Sequence, residues 1–151
     1  MAVNPMPEGF RTLTPFLSVR DGAGAVEFYA DVFGATLVER HDESGGKVTH
    51  ALLRIGDSQV MISDETSEHA REHAHEGWSR SPQSLGGSSV TIYTYVPDVD
   101  SVFDRAVAAG AKVIERPEDK DWGDRVAGVR DPFGHIWSIA THKRDVPPDR
   151  H

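Results

Sequence analysis

The chain has 151 residues, no cysteine and a formal net charge of −8. That length is one of an ordinary domain with a sizeable core, and the missing cysteines exclude disulfides, thiolate metal sites and cysteine nucleophiles together. The acidic balance speaks against a nucleic-acid partner, and no apolar run reaches the ~20 residues of a membrane span. The opening MAVNPMPEGF has neither a basic stretch nor an apolar core, so it is not read as a secretion signal, and a cytoplasmic protein is the expectation.

Thr12 to Val19 alternates and is rich in β-formers, which predicts a strand. Asp21 follows as a helix N-cap, and Val26, Tyr29, Ala30 and Phe33 fall at helical spacing within Ala23 to Phe33. Gly34 is placed to end that helix. Thr36 to His41 reads as a second strand; Lys47 to Ile55 and Gln59 to Ser63 read as a hairpin around Gly56-Asp57-Ser58. The stretch 64–88 is the only long connector, a short charged helix in EHAREHAHE and then turn-rich GWSRSPQSLGG, and is a candidate flap over a pocket. Val90 to Val96 is the next strand and Asp98 the next cap. Val99, Val102, Phe103, Ala106 and Val107 form a buried helical stripe that Gly110 closes. Lys112 to Arg116, Arg125 to Arg130 and His135 to Thr141 are the remaining strands, and residues 143–151 form a tail.

The same order occurs twice because the chain repeats itself. FGATLVER at 33–40 returns as AGAKVIER at 109–116, and LSVRD at 17–21 returns as TYVPD at 94–98. Asp21 and Asp98 stand 77 positions apart and Gly34 and Gly110 stand 76 apart, so a whole structural unit is duplicated. The expected fold is α+β: one domain over residues 1–151, built of two tandem β-α-β-β-β units at about 12–63 and 89–142. Its sheets are expected to form a curved mixed sheet around a cup-shaped cavity.

These units resemble the vicinal oxygen chelate superfamily of glyoxalases, bleomycin-binding proteins and dioxygenases. The resemblance is carried by Phe28-Tyr29, Val32-Phe33-Gly34-Ala35, Val96 to Asp100, Ala109-Gly110-Ala111 and Asp131-Pro132-Phe133-Gly134-His135. Trp122-Gly123-Asp124-Arg125 and Trp137 to His142 are similar to its PhnB-like branch. The resemblance implies that metal-dependent members take one ligand from the first strand and one from the last strand of each unit, usually His or Gln and then Glu. The first lies seven residues before the capping aspartate, which here gives Thr14 and Thr91; the last lies four after the hairpin glycine, which gives Ser138. The first-unit counterpart is Met61, or Ile62 if the register shifts by one. Hydroxyls and a thioether are poor ligands for Zn, Ni, Fe or Mn, so neither a metal nor another cofactor is expected.

Strand alternation places Thr14, Phe16 and Ser18 on the cup face, with Thr91, Tyr93 and Tyr95 from the other unit and Ile136 and Ser138 from the last strand. Trp122 belongs at the rim, Arg125 supplies one positive contact, and Asp124 and Arg125 read as an ion pair fixing the loop. Such a wall suits a planar or partly apolar organic ligand, not a multiply anionic one. His50, His135 and His142 are read as structural or surface residues. His69 and His73 share a helix face, with His75 beyond them, but the adjoining Ala70 stands where a zinc-hydrolase helix carries Glu, so a solvated helix is expected.

The reading is therefore a glyoxalase/bleomycin-resistance-like protein that binds a small organic molecule, with catalytic residues unassigned. Thr14, Phe16, Met61, Thr91, Tyr93, Tyr95, Trp122, Arg125 and Ser138 are its expected contacts. The alternative is a lyase, isomerase or dioxygenase with a metal at non-standard ligands. A homodimer is expected, because half-open sheets leave edges to be covered.

Overall fold

The computed structural model describes residues 2–73 and 80–148. The chain divides into two compact units, Met1–Leu85 and Gly86–His151. The first contains β1 (Phe16–Val19), α1 (Gly22–Phe33), β2 (Thr36–Asp42), β3 (Val48–Ile55), β4 (Ser58–Asp64), α2 (Glu68–His73) and α3 (Pro82–Leu85). The second contains β5 (Thr91–Tyr95), α4 (Val99–Ala108), β6 (Lys112–Asp119), β7 (Asp124–Arg130) and β8 (Ile136–His142). Each holds a four-stranded mixed sheet, ordered β1-β4-β3-β2 and β5-β8-β7-β6, in which only the pair of first and last strands is parallel. The duplicated β-α-β-β-β fold is thus an α+β fold.

The repeat extends to irregularities. A register shift between Leu37 and Glu39 bulges β2 at Val38, and one between Val113 and Glu115 bulges β6 at Ile114. Both fall inside the repeated strings, so the bulge was duplicated with the strand. β6 runs on to Asp119 through Pro117, beyond the expected end at Arg116. As an edge strand it tolerates a residue without an N–H. β1 is shorter than expected and begins at Phe16. Pro15, which has no N–H to donate, precedes it and only accepts, from the Met61 N–H at 2.9 Å; Thr14 lies outside the strand.

Each helix covers one face of its sheet. Val26, Tyr29 and Val32 of α1 are buried together with Leu17, Val19, Leu53 and Ile62 of the sheet. In the second unit Val99, Val102, Phe103 and Ala106 of α4 are buried with Val129, Trp137 and Ile139. A fully buried side chain of this size contributes roughly 1.5–3 kcal/mol. The caps are as expected: Asp21 accepts from the Gly24 N–H at 3.0 Å and Asp98 from the Ser101 N–H at 3.4 Å. Gly34 ends α1 at φ 69°, a conformation costly for any residue with a Cβ.

A second joint ties each helix to the end of the last strand. In the first unit the buried Asp64 accepts from the Gly22 N–H at 3.0 Å. Gly22 admits the contact because a Cβ there would lie 2.8 Å from the Val48 Cβ. In the second unit Thr141 takes the same place: its hydroxyl accepts from the Val99 N–H at 2.9 Å and donates to the Val96 carbonyl at 2.8 Å.

The β7–β8 turn is organised by the buried Asp131. It accepts from the backbone N–H groups of Phe133 and His135, at 2.9 and 3.0 Å, and from the Trp137 indole at 2.9 Å. Trp137 therefore belongs to the helix-side core, and His135 is half-buried. Among the described residues no helix is long and apolar enough to cross a membrane. Asp131→Ala removes the acceptor of three N–H groups at once. It is expected to cost about 2–4 kcal/mol, seen as a lower urea midpoint at unchanged slope.

Candidate functional site

With its other face under α1, the first sheet presents one open face. Register puts Phe16, Met61, Leu52 and Glu39 in one row across it. Met61 is therefore the open-face residue of β4, and Ile62, fully buried, faces the helix. His50 lies one residue before Ala51 and opposite His41, which places it on the open face too. Its ring meets Phe16 edge-on at 5.8 Å and His41 at 6.4 Å.

Above this face lies a cavity of about 850 Å³. Phe16, Ser18 and Arg20 line it from the β1 side, His50 from β3, and Ser63 and Glu65 from the end of β4. His69, Arg71 and His73 line it from α2, with Arg80 and Ser84 beyond. Of the nine expected contacts, Phe16 alone lines this cavity. His69 and His73 do share a helix face, their rings 4.7 Å apart, whereas His75 lies outside the described residues.

Glu65 ties the cavity wall together. One of its oxygens accepts from Arg20 Nε at 3.2 Å, the Ser81 hydroxyl at 2.6 Å and the Ser84 hydroxyl at 2.5 Å; the other accepts from the Ser81 N–H at 2.8 Å. Arg20 also donates to the Ser84 hydroxyl at 3.1 Å. Burial pushes the Glu65 carboxyl up, but the bonds from Ser81, Ser84 and Arg20 outweigh it and hold it at about 2. The end of the connector, expected as a flap, is anchored here to the ends of β1 and β4.

The open face of the second unit carries Thr91, Tyr93 and Tyr95 of β5 and Ser138 of β8, with Tyr93 opposite Ser138. Its centre is the buried Asp124. The Tyr93 and Tyr95 hydroxyls donate to one of its oxygens at 2.6 and 2.8 Å, and His142 Nδ1 lies 2.8 Å from the other. Trp122 donates its indole N–H to the Tyr93 hydroxyl at 3.3 Å. The two tyrosine rings, 5.4 Å apart, remain exposed while their hydroxyls are engaged. Burial and then the bond to Asp124 push the Tyr93 hydroxyl up to about 12. Burial would likewise raise the Asp124 carboxyl, yet the bonds from Tyr93, His142 and Tyr95 hold it below its ordinary value. Asp145 and then Asp124 raise the His142 imidazole.

Arg125 differs from its expected place. As the next residue on β7 it points to the opposite face from Asp124, so the two do not pair. It forms a forked pair with Asp100 of α4, at 2.9 and 3.0 Å, and a bond to Asp119 at 3.2 Å. It fastens helix to sheet and lies away from the open face.

Comparison with known proteins identifies the lineage. Residues 11–139 match the model of the Glyoxalase/Bleomycin resistance protein/Dioxygenase superfamily, and the chain belongs to that family. It is 43% identical over 149 residues to an uncharacterized protein of Mycobacterium bovis, covering 99% of this chain and 92% of that one. It is 28% identical over 124 residues to a probable lactoylglutathione lyase of Synechocystis, covering 82% and 88%. The crystal structure of TioX from Micromonospora superposes with a TM-score of 0.64 at 30% identity, covering 87% of this chain and 98% of that one.

The Asp124 cluster sets a pH dependence. His142 is raised above its ordinary 6.5, so its contribution is complete below that value and is lost as pH rises through the folded value. Asp124 is lowered from 3.8, so its contribution is present above that value and is lost as pH falls. The margin in melting temperature of the wild type over His142→Asn is expected to be largest near pH 6 and to shrink towards pH 9. An equal margin at both would exclude a charged His142–Asp124 pair.

Proposed function

We propose that this protein binds a small organic molecule, at least partly aromatic, without a metal at the positions its family uses for one. The observation that carries the reading is the cavity of about 850 Å³ beside Phe16 and His50, a volume in the range of small-molecule sites. Phe16 is 49% exposed at its edge, an apolar surface available for stacking. Within the family, Trp122-Gly123-Asp124-Arg125 and Trp137 to His142 are similar to the PhnB-like branch.

The donor set supports the metal-free part of the reading. Thr14, Met61, Thr91 and Ser138 offer neutral hydroxyls and a thioether, which do not fit a divalent ion that prefers imidazole and carboxylate. Among the described residues no three His, Asp or Glu side chains converge at metal-binding spacing. No chemical step is assigned through a metal. The exposed rings of Tyr93 and Tyr95, with Trp122 beside them, are a second aromatic contact surface, and Thr14, Met61, Thr91 and Ser138 belong to the same reading as contacts. The alternative, a metal-dependent lyase, isomerase or dioxygenase with non-standard ligands, draws on the name of the Synechocystis relative. It gains nothing from these four positions.

A two-fold homodimer is part of the proposal. The edge strands β2 and β6 expose Leu37, Val38, Val113 and Ile114 around their bulges, apolar surface on strands with free hydrogen-bonding edges. Light scattering is expected to give twice the 16.6 kDa chain mass, and a single-chain mass at micromolar concentration would exclude the dimer.

Two measurements test the function. Elemental analysis of untagged protein is expected to find far less than one Zn, Ni, Fe, Mn or Co per chain, and added Ni or Zn to produce no turnover of a glutathione hemithioacetal. Phe16→Ala is expected to weaken binding of an aromatic ligand about tenfold, ~1.4 kcal/mol. A tightly held stoichiometric metal with metal-stimulated turnover sinks the reading.

A further inference from the structure

We infer that the first-unit cavity selects organic acids: flat or apolar molecules carrying one anionic group, which Arg80 recognises. This deepens the small-molecule reading and rests on it. On a chain with net charge −8, the described residues of the cavity wall bring in three guanidinium groups, Arg20, Arg71 and Arg80, against one carboxylate, Glu65. Such a local reversal on an acidic protein concentrates anions where the walls exclude water.

The three arginines are not equivalent. Arg20 is committed, bonded to Glu65 and Ser84. Arg71 likewise forms no ion pair among the described residues, but it also lines a neighbouring hollow of about 550 Å³ with Glu43, Glu68 and Glu72, whose carboxylates offset its charge at the cavity. Arg80 is exposed and forms no ion pair among the described residues. Among the described residues it is a cation of this lining left without an acidic partner. A planar guanidinium holds a carboxylate or phosphate through two parallel hydrogen bonds. Glu65 does not compete for it: four hydrogen bonds from Arg20, Ser81 and Ser84 already occupy its oxygens. The imidazoles of His50 and His69 add N–H donors on the same lining, and the Phe16–His50 edge supplies an apolar surface for the body of the molecule. The expectation from sequence was a wall unsuited to a multiply anionic ligand, with Arg125 as its one positive contact; Arg80 comes from the connector, and no strand pattern points to it.

The test uses two probes of nearly equal shape, 1-naphthoate and 1-naphthamide, titrated calorimetrically against the full chain. Naphthoate is expected to bind at least tenfold more tightly than the amide, with an advantage that shrinks as KCl is raised from about 0.05 to 0.5 M. R80Q is expected to abolish the advantage while leaving the affinity for the amide unchanged, and R80K to restore part of it. Arg80 is exposed, and an unchanged circular dichroism spectrum and melting temperature would show that R80Q stays folded. Equal binding of the two probes by the wild type overturns the selection for acids while leaving the small-molecule reading standing. Binding of neither probe overturns both. An advantage that survives R80Q overturns the role of Arg80.

Discussion

One constraint organises each unit: a single helix covers only one face of a four-stranded sheet. The first and last strands pair in parallel, so the chain must cross over between them, and the helix that makes the crossover packs on one side. The opposite side has no element of the repeat to cover it. Both sheets therefore carry an apolar, closed face and an open face on which polar and aromatic side chains collect. The joints at Asp64 and Thr141 hold the helix start against the end of the last strand, and so keep the open face open.

The two open faces have diverged although the backbones have not. In each, one carboxylate collects three or four hydrogen bonds. Glu65 gathers Arg20, Ser81 and Ser84; Asp124 gathers Tyr93, Tyr95 and His142. A buried carboxylate is costly unless it is satisfied this way, and a carboxylate so satisfied is held ionised as a fixed hub. In the first unit the hub draws the far end of the connector over the sheet and helps to wall a cavity. In the second it locks two tyrosine hydroxyls and leaves their rings outward. Both hubs thereby fix the shape of the open face around them.

Much of the architecture was legible because it rests on local physics. Asp21 and Asp98 cap helices within three residues of themselves, Gly34 adopts a left-handed turn that few other residues tolerate, and most of the apolar stripes of α1 and α4 follow from helical spacing, although Ala30 and Val107, expected in them, are exposed. Phe16 and Ser18 on one face, and Tyr93 beside Ser138, follow from alternation and the parallel pairing. Alternation was also enough to separate Asp124 from Arg125, though their adjacency and opposite charges suggested a pair. The bulges at Val38 and Ile114 were not legible, because a bulge leaves the apolar content of its strand unchanged.

The sequence by itself determined the duplication, the order of the repeated elements, the helix caps and the buried face of most strands, though not whether Met61 or Ile62 would face the helix. These depend on near neighbours and on the periodicity of the chain. Only the tertiary structure decided which groups on the open faces stay available. Arg20 meets Ser84 across 64 positions, Tyr93 meets Asp124 across 31 and Arg125 meets Asp100 across 25. No spacing rule reaches that far, since such partners are chosen by how strands and connectors lie together in space. Arg125 was thereby taken for structure, whereas Arg80 stays exposed beside the cavity.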